Sequence, residues 1–147
     1  MKTGQAGIEL IKSFEGLELA GYLCPAGIPT RGYGHTGPEV KVGEKITPAQ
    51  AEADLVKDLD KFERVVARMV RSVINKNQHG ALVSFAYNLG ATSLQISTLL
   101  KKVNANPNDP SIRGEFLKWN KARVKGVLKV LPGLTRRRAA EADLYFS

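Results

Sequence analysis

The stretch FEGLELAGYLCPAGIPTRGYGHT, Phe14–Thr36, holds the chain's single cysteine between an acid and a threonine, with five glycines and a histidine around them. Cys24 stands nine residues after Glu15 and six before Thr30. Upstream, Ile8, Ile11 and Glu15 share one stripe of a helix that Thr3 can cap and Gly16 can stop. Downstream the pattern changes. Leu17, Leu19 and Leu23 fall at even spacings, and Gly27, Gly32, Gly34 and Gly37 punctuate the chain beyond them, which predicts a short antiparallel sheet with tight turns.

Past this stretch the chain reads as helix after helix. In TPAQ (Thr47 to Gln50), Thr47 suits an N-cap, Pro48 the first helical position, and Gln50 can close a capping box. The helix it opens is expected to reach about residue 71 on an apolar stripe of Leu55, Leu59, Phe62, Val66 and Met69. Leu82, Phe85, Ala86 and Leu89 form the next stripe, stopped by Gly90. Thr92 and Gln95 predict a second capping box before Ile96, Leu99, Leu100 and Val103. Asp109-Pro110 opens a helix carrying Ile112, Phe116 and Trp119, and Thr135 opens the last one, to about Phe146. The expected fold class is α+β, a single domain over 1–147. It comprises a small lobe with a short sheet (about 14–46), a long connecting helix (about 48–71) and an all-helical C-terminal lobe (about 72–147). A cleft between lobes is a usual place for a ligand.

The totals restrict the function classes. No apolar run approaches the roughly 20 residues of a membrane span. The N-terminal MKTGQAGIEL lacks an apolar h-region, so synthesis in the cytoplasm without a signal peptide is expected. One cysteine cannot form an internal disulfide, and no Cys/His cluster suggests a metal; no cofactor is expected. The net charge is +8, and it is uneven: residues 101–147 carry 11 basic and 4 acidic side chains. That asymmetry predicts a polyanionic partner (nucleic acid, anionic lipid or cell-wall polymer), unless the surplus serves solubility alone.

Glu15 is the first candidate for chemistry. It closes an apolar helix stripe, where the negative end of the helix dipole and partial burial both favour the protonated acid. That is the form a general acid needs. On spacing alone an ordinary solvated helix-end glutamate is the better reading. A free cysteine is usually a small buried hydrophobe, but Cys24 precedes a proline in a glycine-rich turn. A cysteine–histidine nucleophile would need His35 or His79. Thr30 suits a strand on propensity alone.

Together these residues resemble the phage-type lysozymes, glycoside hydrolase family 24, whose pattern is Glu, eight residues, Asp or Cys, five residues, Thr. The wording SFEGLELAGY, PAGIPT and GYGHTG matches as well. NQHGALVSFAYNLG (77–90), STLLKKVN (97–104), EFLKWNKA (115–122) and GLTRRRAAEADLY (133–145) look like further family blocks, in order. The resemblance implies an endolysin muramidase that cuts the β-1,4 bond between N-acetylmuramic acid and N-acetylglucosamine in peptidoglycan and lyses the host. It implies Glu15 as the acid, Cys24 as the group that handles the attacking water or stabilises sugar charge, and Thr30 as a holder of that water. Tyr87, Asn88 and Thr98 match groove positions, and His35 a substrate-side position that orients the sheet loop. A holin-type pore is the family's usual export partner. Anionic lipopolysaccharide or a membrane surface is a further partner for the basic C-terminal third, and a monomer is expected.

Two departures stand out. Cys24 replaces the commoner Asp, and a thiol with a pKa of about 8.5 is mostly neutral at pH 7. A neutral thiol gives an oxocarbenium-like transition state less electrostatic help than a carboxylate does. Arg31 replaces an aliphatic residue. Strand alternation places it opposite an inward Thr30, solvent-facing; beside Cys24 it would favour the thiolate. Two rival readings remain. One is a lytic transglycosylase, with Glu15 alone as acid and base, giving 1,6-anhydro products. The other is a non-catalytic basic module that binds nucleic acid.

Overall fold

The computed structural model describes all of residues 1–147. It divides into two compact units: Ile11–Lys61, and Met1–Leu10 together with Phe62–Ser147. Helices α1 (Gln5–Glu15) and α2 (Pro48–Met69) each run from one unit into the other. No helix is long and apolar enough to cross a membrane.

The first unit holds a three-stranded antiparallel sheet of β1 (Glu18–Leu23), β2 (Pro29–Gly32) and β3 (His35–Thr36), in the order β1-β2-β3. The glycine-punctuated stretch therefore folds as its spacing predicts. Tyr22 pairs with Thr30 and Leu23 with Pro29, but the β1–β2 register shifts between Glu18 and Tyr22. The segment after β3 returns along β1: Gly21 N–H donates to Glu44 O (2.9 Å) and Ile46 N–H to Leu19 O (2.8 Å). A side chain at Gly21 would lie 2.1 Å from Lys41 O, so only glycine admits this approach.

Thr47 and Pro48 start α2 as expected, the Thr47 hydroxyl accepting from Gln50 N–H at 3.1 Å. The Gln50 side chain does not complete a capping box; it donates to Asp54 instead (3.0 Å). At α1 the cap expectation also changes. Thr3 is buried and gives both its backbone N–H (2.7 Å) and its hydroxyl (2.6 Å) to Glu63.

The second unit is built on α3 (Lys76–Leu89), whose Ala81–Ala86 segment is entirely buried. Asn75 and Gln78 form the capping box there, a local signal masked by the irregular segment ahead of Asn75. α4 (Ala91–Ile96) and α5 (Thr98–Ala105) are separate helices, not one. Ser97 breaks the run, its hydroxyl accepting from Leu100 N–H (3.0 Å), while the α4 start carries no side-chain cap. α6 (Ile112–Leu117) stops before Trp119, and α7 (Pro132–Tyr145) begins at Pro132, three residues ahead of Thr135. α7 packs on α3 and α6. Phe85 meets Phe116 and Trp119 edge-on, with centroids at 6.0 and 5.6 Å.

One expectation fails outright: this unit is not all-helical. Residues 121–130 form an antiparallel hairpin, β4 (Lys121–Val124) and β5 (Val127–Val130). Lys125 (φ 50°) and Gly126 (φ 79°) both take the left-handed conformation of a two-residue hairpin turn. The signal is a Lys-Gly pair between two valine-bearing runs, obscured because lysine is a poor marker for that turn.

Candidate active site

Glu15 is the last residue of α1 and is partly buried, with Gly16 turning the chain into β1. Cys24 follows β1 and opens the turn to β2. Its N–H donates to Ile28 O (3.1 Å), and its carbonyl accepts from Gly27 N–H (2.8 Å). These bonds close a loop whose backbone faces the thiol. The Cys24 thiol is lowered from its ordinary value, first by a backbone hydrogen bond at Ile28, with burial opposing, then by Ala26, the Thr30 hydroxyl and its own backbone.

Thr30 is buried in β2, its hydroxyl 2.8 Å from Ile28 O. A hydroxyl has one proton, so Thr30 can serve the Ile28 carbonyl or an ionised Cys24 sulfur, not both. Tyr22, cross-strand from Thr30, is a site neighbour that the spacing argument misses, although it sits two residues before Cys24. Its phenol is raised by burial first and then by the charges of Glu18, Glu15 and Cys24. Glu15 and Cys24 thus both lie within electrostatic reach of Tyr22.

Arg31 corrects an expectation. It is 9% exposed rather than solvent-facing, and its fork holds Asp54 of α2 through Nε (2.9 Å) and Nη2 (3.2 Å). Alternation fails because β2 is covered on both sides: Thr30, Arg31 and Gly32 are all buried, and Ala51 of α2 lies against Gly32. Arg31 is absent from the groups that lower Cys24.

His35 is 5% exposed and committed at both ring nitrogens, Nδ1 to Asp58 (2.8 Å) and Nε2 to Glu39 (2.6 Å). Burial lowers its pKa, yet Glu39 and Asp58 outweigh this and the net shift is upward. Glu39 is held below the usual carboxylate range by the His35 hydrogen bond. For Asp54, burial pushes up, but Arg31, Gln50 and His35 bring it below the ordinary value.

The other unit carries the remaining candidates. Tyr87 rests on Phe62, with centroids 5.4 Å apart. Asn88 Oδ1 accepts from Arg138 Nη2 (2.9 Å), and Thr98 is exposed at the start of α5. Behind Asn88 lies a network that no local sequence pattern announces. Arg138 and Glu141 are fully buried, joined by Nη2 to Oε2 (3.0 Å), and Ser84 donates to Glu141 (2.6 Å). Arg138 Nε approaches Oε1 at 2.6 Å as a charge contact, off hydrogen-bond alignment. Two of the three arginines in Arg136–Arg138 are therefore internal, Arg137 being 3% exposed, and do not belong to the basic surface the composition suggests.

Comparison with known proteins identifies the relatives. The family model for phage lysozyme matches residues 12–141. The chain is 41% identical to the endolysin of Acyrthosiphon pisum secondary endosymbiont phage 1, covering all of this chain and 99% of that protein. It is 41% identical to the endolysin of Bacillus phage B103 over its whole length, but spans only 55% of that protein. Among solved structures, the endolysin of Escherichia coli O157:H7 phage FAHEc1 matches with a TM-score of 0.91 and 41% identity, over 99% of this chain and 93% of that one. Family match, full-length relative and fold agree, and the chain belongs to the phage lysozyme family.

Proposed function

We propose that this chain is an endolysin-type muramidase that hydrolyses the β-1,4 bond between N-acetylmuramic acid and N-acetylglucosamine in bacterial peptidoglycan, with Glu15, Cys24 and Thr30 as its catalytic groups. Membership of the phage lysozyme family makes it a cell-wall glycosidase; the residue roles are the proposal. The observation that supports them best is the Cys24–Thr30 turn, which lowers the thiol through hydrogen bonds at Ile28, Ala26 and Thr30. An ionised sulfur there supplies the negative charge that a carboxylate would give an oxocarbenium-like transition state.

In this reading Glu15 gives its proton to the leaving glycosidic oxygen. Cys24 faces the positive charge that develops on the sugar and steers the attacking water, with the Thr30 hydroxyl holding that water. Arg31, Asp54 and His35 act as positioning residues, fixing β2 and β3 on α2. Tyr87, Asn88 and Thr98 contact the glycan. A holin-type pore as route to the wall is proposed from the family resemblance alone.

The test is the mass of the products from purified peptidoglycan. Hydrolysis gives fragments ending in reducing N-acetylmuramic acid, one water heavier than anhydro fragments, and Glu15→Gln abolishes them. Anhydro ends would make Glu15 the sole acid and base and remove the roles given to Cys24 and Thr30. Absence of cleavage would overturn the enzymatic reading itself.

A further inference from the structure

The basic surplus of residues 101–147 shrinks sharply once ion pairs and burial are counted. Arg137 and Arg138 are internal beside Glu141. Lys102 and Lys118 share Glu115, and Arg113 holds Asp143. Of the six remaining cations, Lys121, Arg123, Lys125 and Lys129 all lie in the β4–β5 hairpin, which contains no acid.

The same ten residues expose aliphatic side chains. Val127, Leu128 and Val130 are 55, 56 and 54% exposed. The register sorts them. Lys121 pairs with Val130 and Arg123 with Leu128; paired residues share a face, and all four are exposed. The opposite face carries Ala122 and Val124, both half-buried, with their exposed partners Lys129 and Val127. One face of the hairpin thus alternates cation and aliphatic in open solvent, with a fifth group, Lys125, at its tip. Lys125 is also the only non-glycine residue with positive φ, in a position that asparagine or glycine fills with less strain.

We propose that this hairpin face docks on a lipid bilayer surface bearing anionic phosphate headgroups. Cations meet the phosphates, while Leu128 and Val130 enter the headgroup–acyl boundary. A glycan strand would satisfy the cations only through its peptide carboxylates and would leave aliphatic side chains of this size unmatched; the bilayer satisfies both. The proposal narrows the anionic partner of the basic C-terminal third and is independent of the residue roles given to Glu15, Cys24 and Thr30.

The test is sedimentation of the full chain with vesicles of phosphatidylcholine alone and of phosphatidylcholine mixed with phosphatidylglycerol, with digestion of purified peptidoglycan measured in parallel. The chain is expected to sediment with the anionic vesicles only, and less so as salt rises. Lys125→Asn, which eases the turn and so folds at least as well, is expected to weaken partition roughly fivefold for the charge removed. Leu128→Asn with Val130→Thr is expected to weaken it several-fold at unchanged charge. Both variants are expected to keep wild-type digestion of peptidoglycan. No binding to anionic vesicles, or binding unchanged in either variant, would overturn the proposal. So would hairpin variants that lose peptidoglycan digestion while keeping vesicle binding, which would assign the face to the wall.

Discussion

Arg31 and Asp54 form a buried two-point ion pair, Nε to Oδ2 at 2.9 Å and Nη2 to Oδ1 at 3.2 Å, that ties β2 to α2 one residue away from Thr30. Removing one partner leaves the other charge buried and uncompensated. Arg31→Leu or Asp54→Leu is expected to lower unfolding free energy by about 3–5 kcal/mol, read by urea denaturation. The double variant is expected to recover much of that loss. If the single and double variants are equally unstable, the pair is not the source of the effect.

His35 makes stability depend on pH from the alkaline side. Its pKa in the folded chain lies above the ordinary 6.5 because Glu39 and Asp58 outweigh burial. A raised pKa stabilises fully below the unfolded value and fades as pH rises through the folded one. Glu39 and Asp54, both lowered, contribute above their unfolded values and lose that contribution as pH falls. Wild-type urea midpoints are therefore expected to drop as pH rises from 6.5 through the raised pKa of His35. His35→Gln is expected to flatten that limb, and an unchanged slope in the variant would remove His35 as its cause.

His79 works in the opposite sense. It is 2% exposed, neither ring nitrogen meets a protein partner, and burial lowers its pKa. It therefore costs stability as pH falls below 6.5. A cavity of about 140 Å³ adjoins it, bordered by Met1, Val66 and Val70. His79→Phe replaces an unpartnered polar ring with an apolar one beside that space. It is expected to stabilise by about 1–3 kcal/mol, with the largest gain at acid pH. Destabilisation at all pH values would mean the imidazole has a partner.

Glu141 supports Asn88 at one remove, through Arg138. Glu141→Ala strands a buried guanidinium, at an expected cost of about 3–5 kcal/mol. Arg138→Leu frees the Asn88 carbonyl without removing Asn88, at a like cost in stability because it strands the Glu141 carboxylate. If Asn88 contacts the glycan in the orientation Arg138 sets, Arg138→Leu is expected to raise KM for peptidoglycan more than it lowers kcat. An equal fall in kcat with KM unmoved would restrict the network to stability.

The local devices of the fold are largely legible in the sequence, because each is set by a few adjacent residues. Gly16 ends α1, Thr47-Pro48 starts α2, and the glycines after Cys24 space the strands as observed. Devices that depend on distant neighbours are not legible. Arg31 faces inward because α2 covers the side of β2 that alternation assigns to solvent. Gln50 leaves the cap for Asp54, and Thr3 for Glu63, each drawn by a buried carboxylate that local sequence does not reveal. The hairpin at 121–130 hides behind an atypical turn residue. For the proposed site, family likeness offers Glu15, Cys24 and Thr30 as candidates. It does not say what the thiol feels, since its donors are mostly backbone groups of a turn.

The thiol's environment is open to direct measurement. With one cysteine in the chain, alkylation rate against pH reports Cys24 without interference. The expected inflection lies below the ordinary thiol value, and it moves upward in Thr30→Val. An inflection at or above that value would contradict the claim that sulfur stands in for a carboxylate at this site.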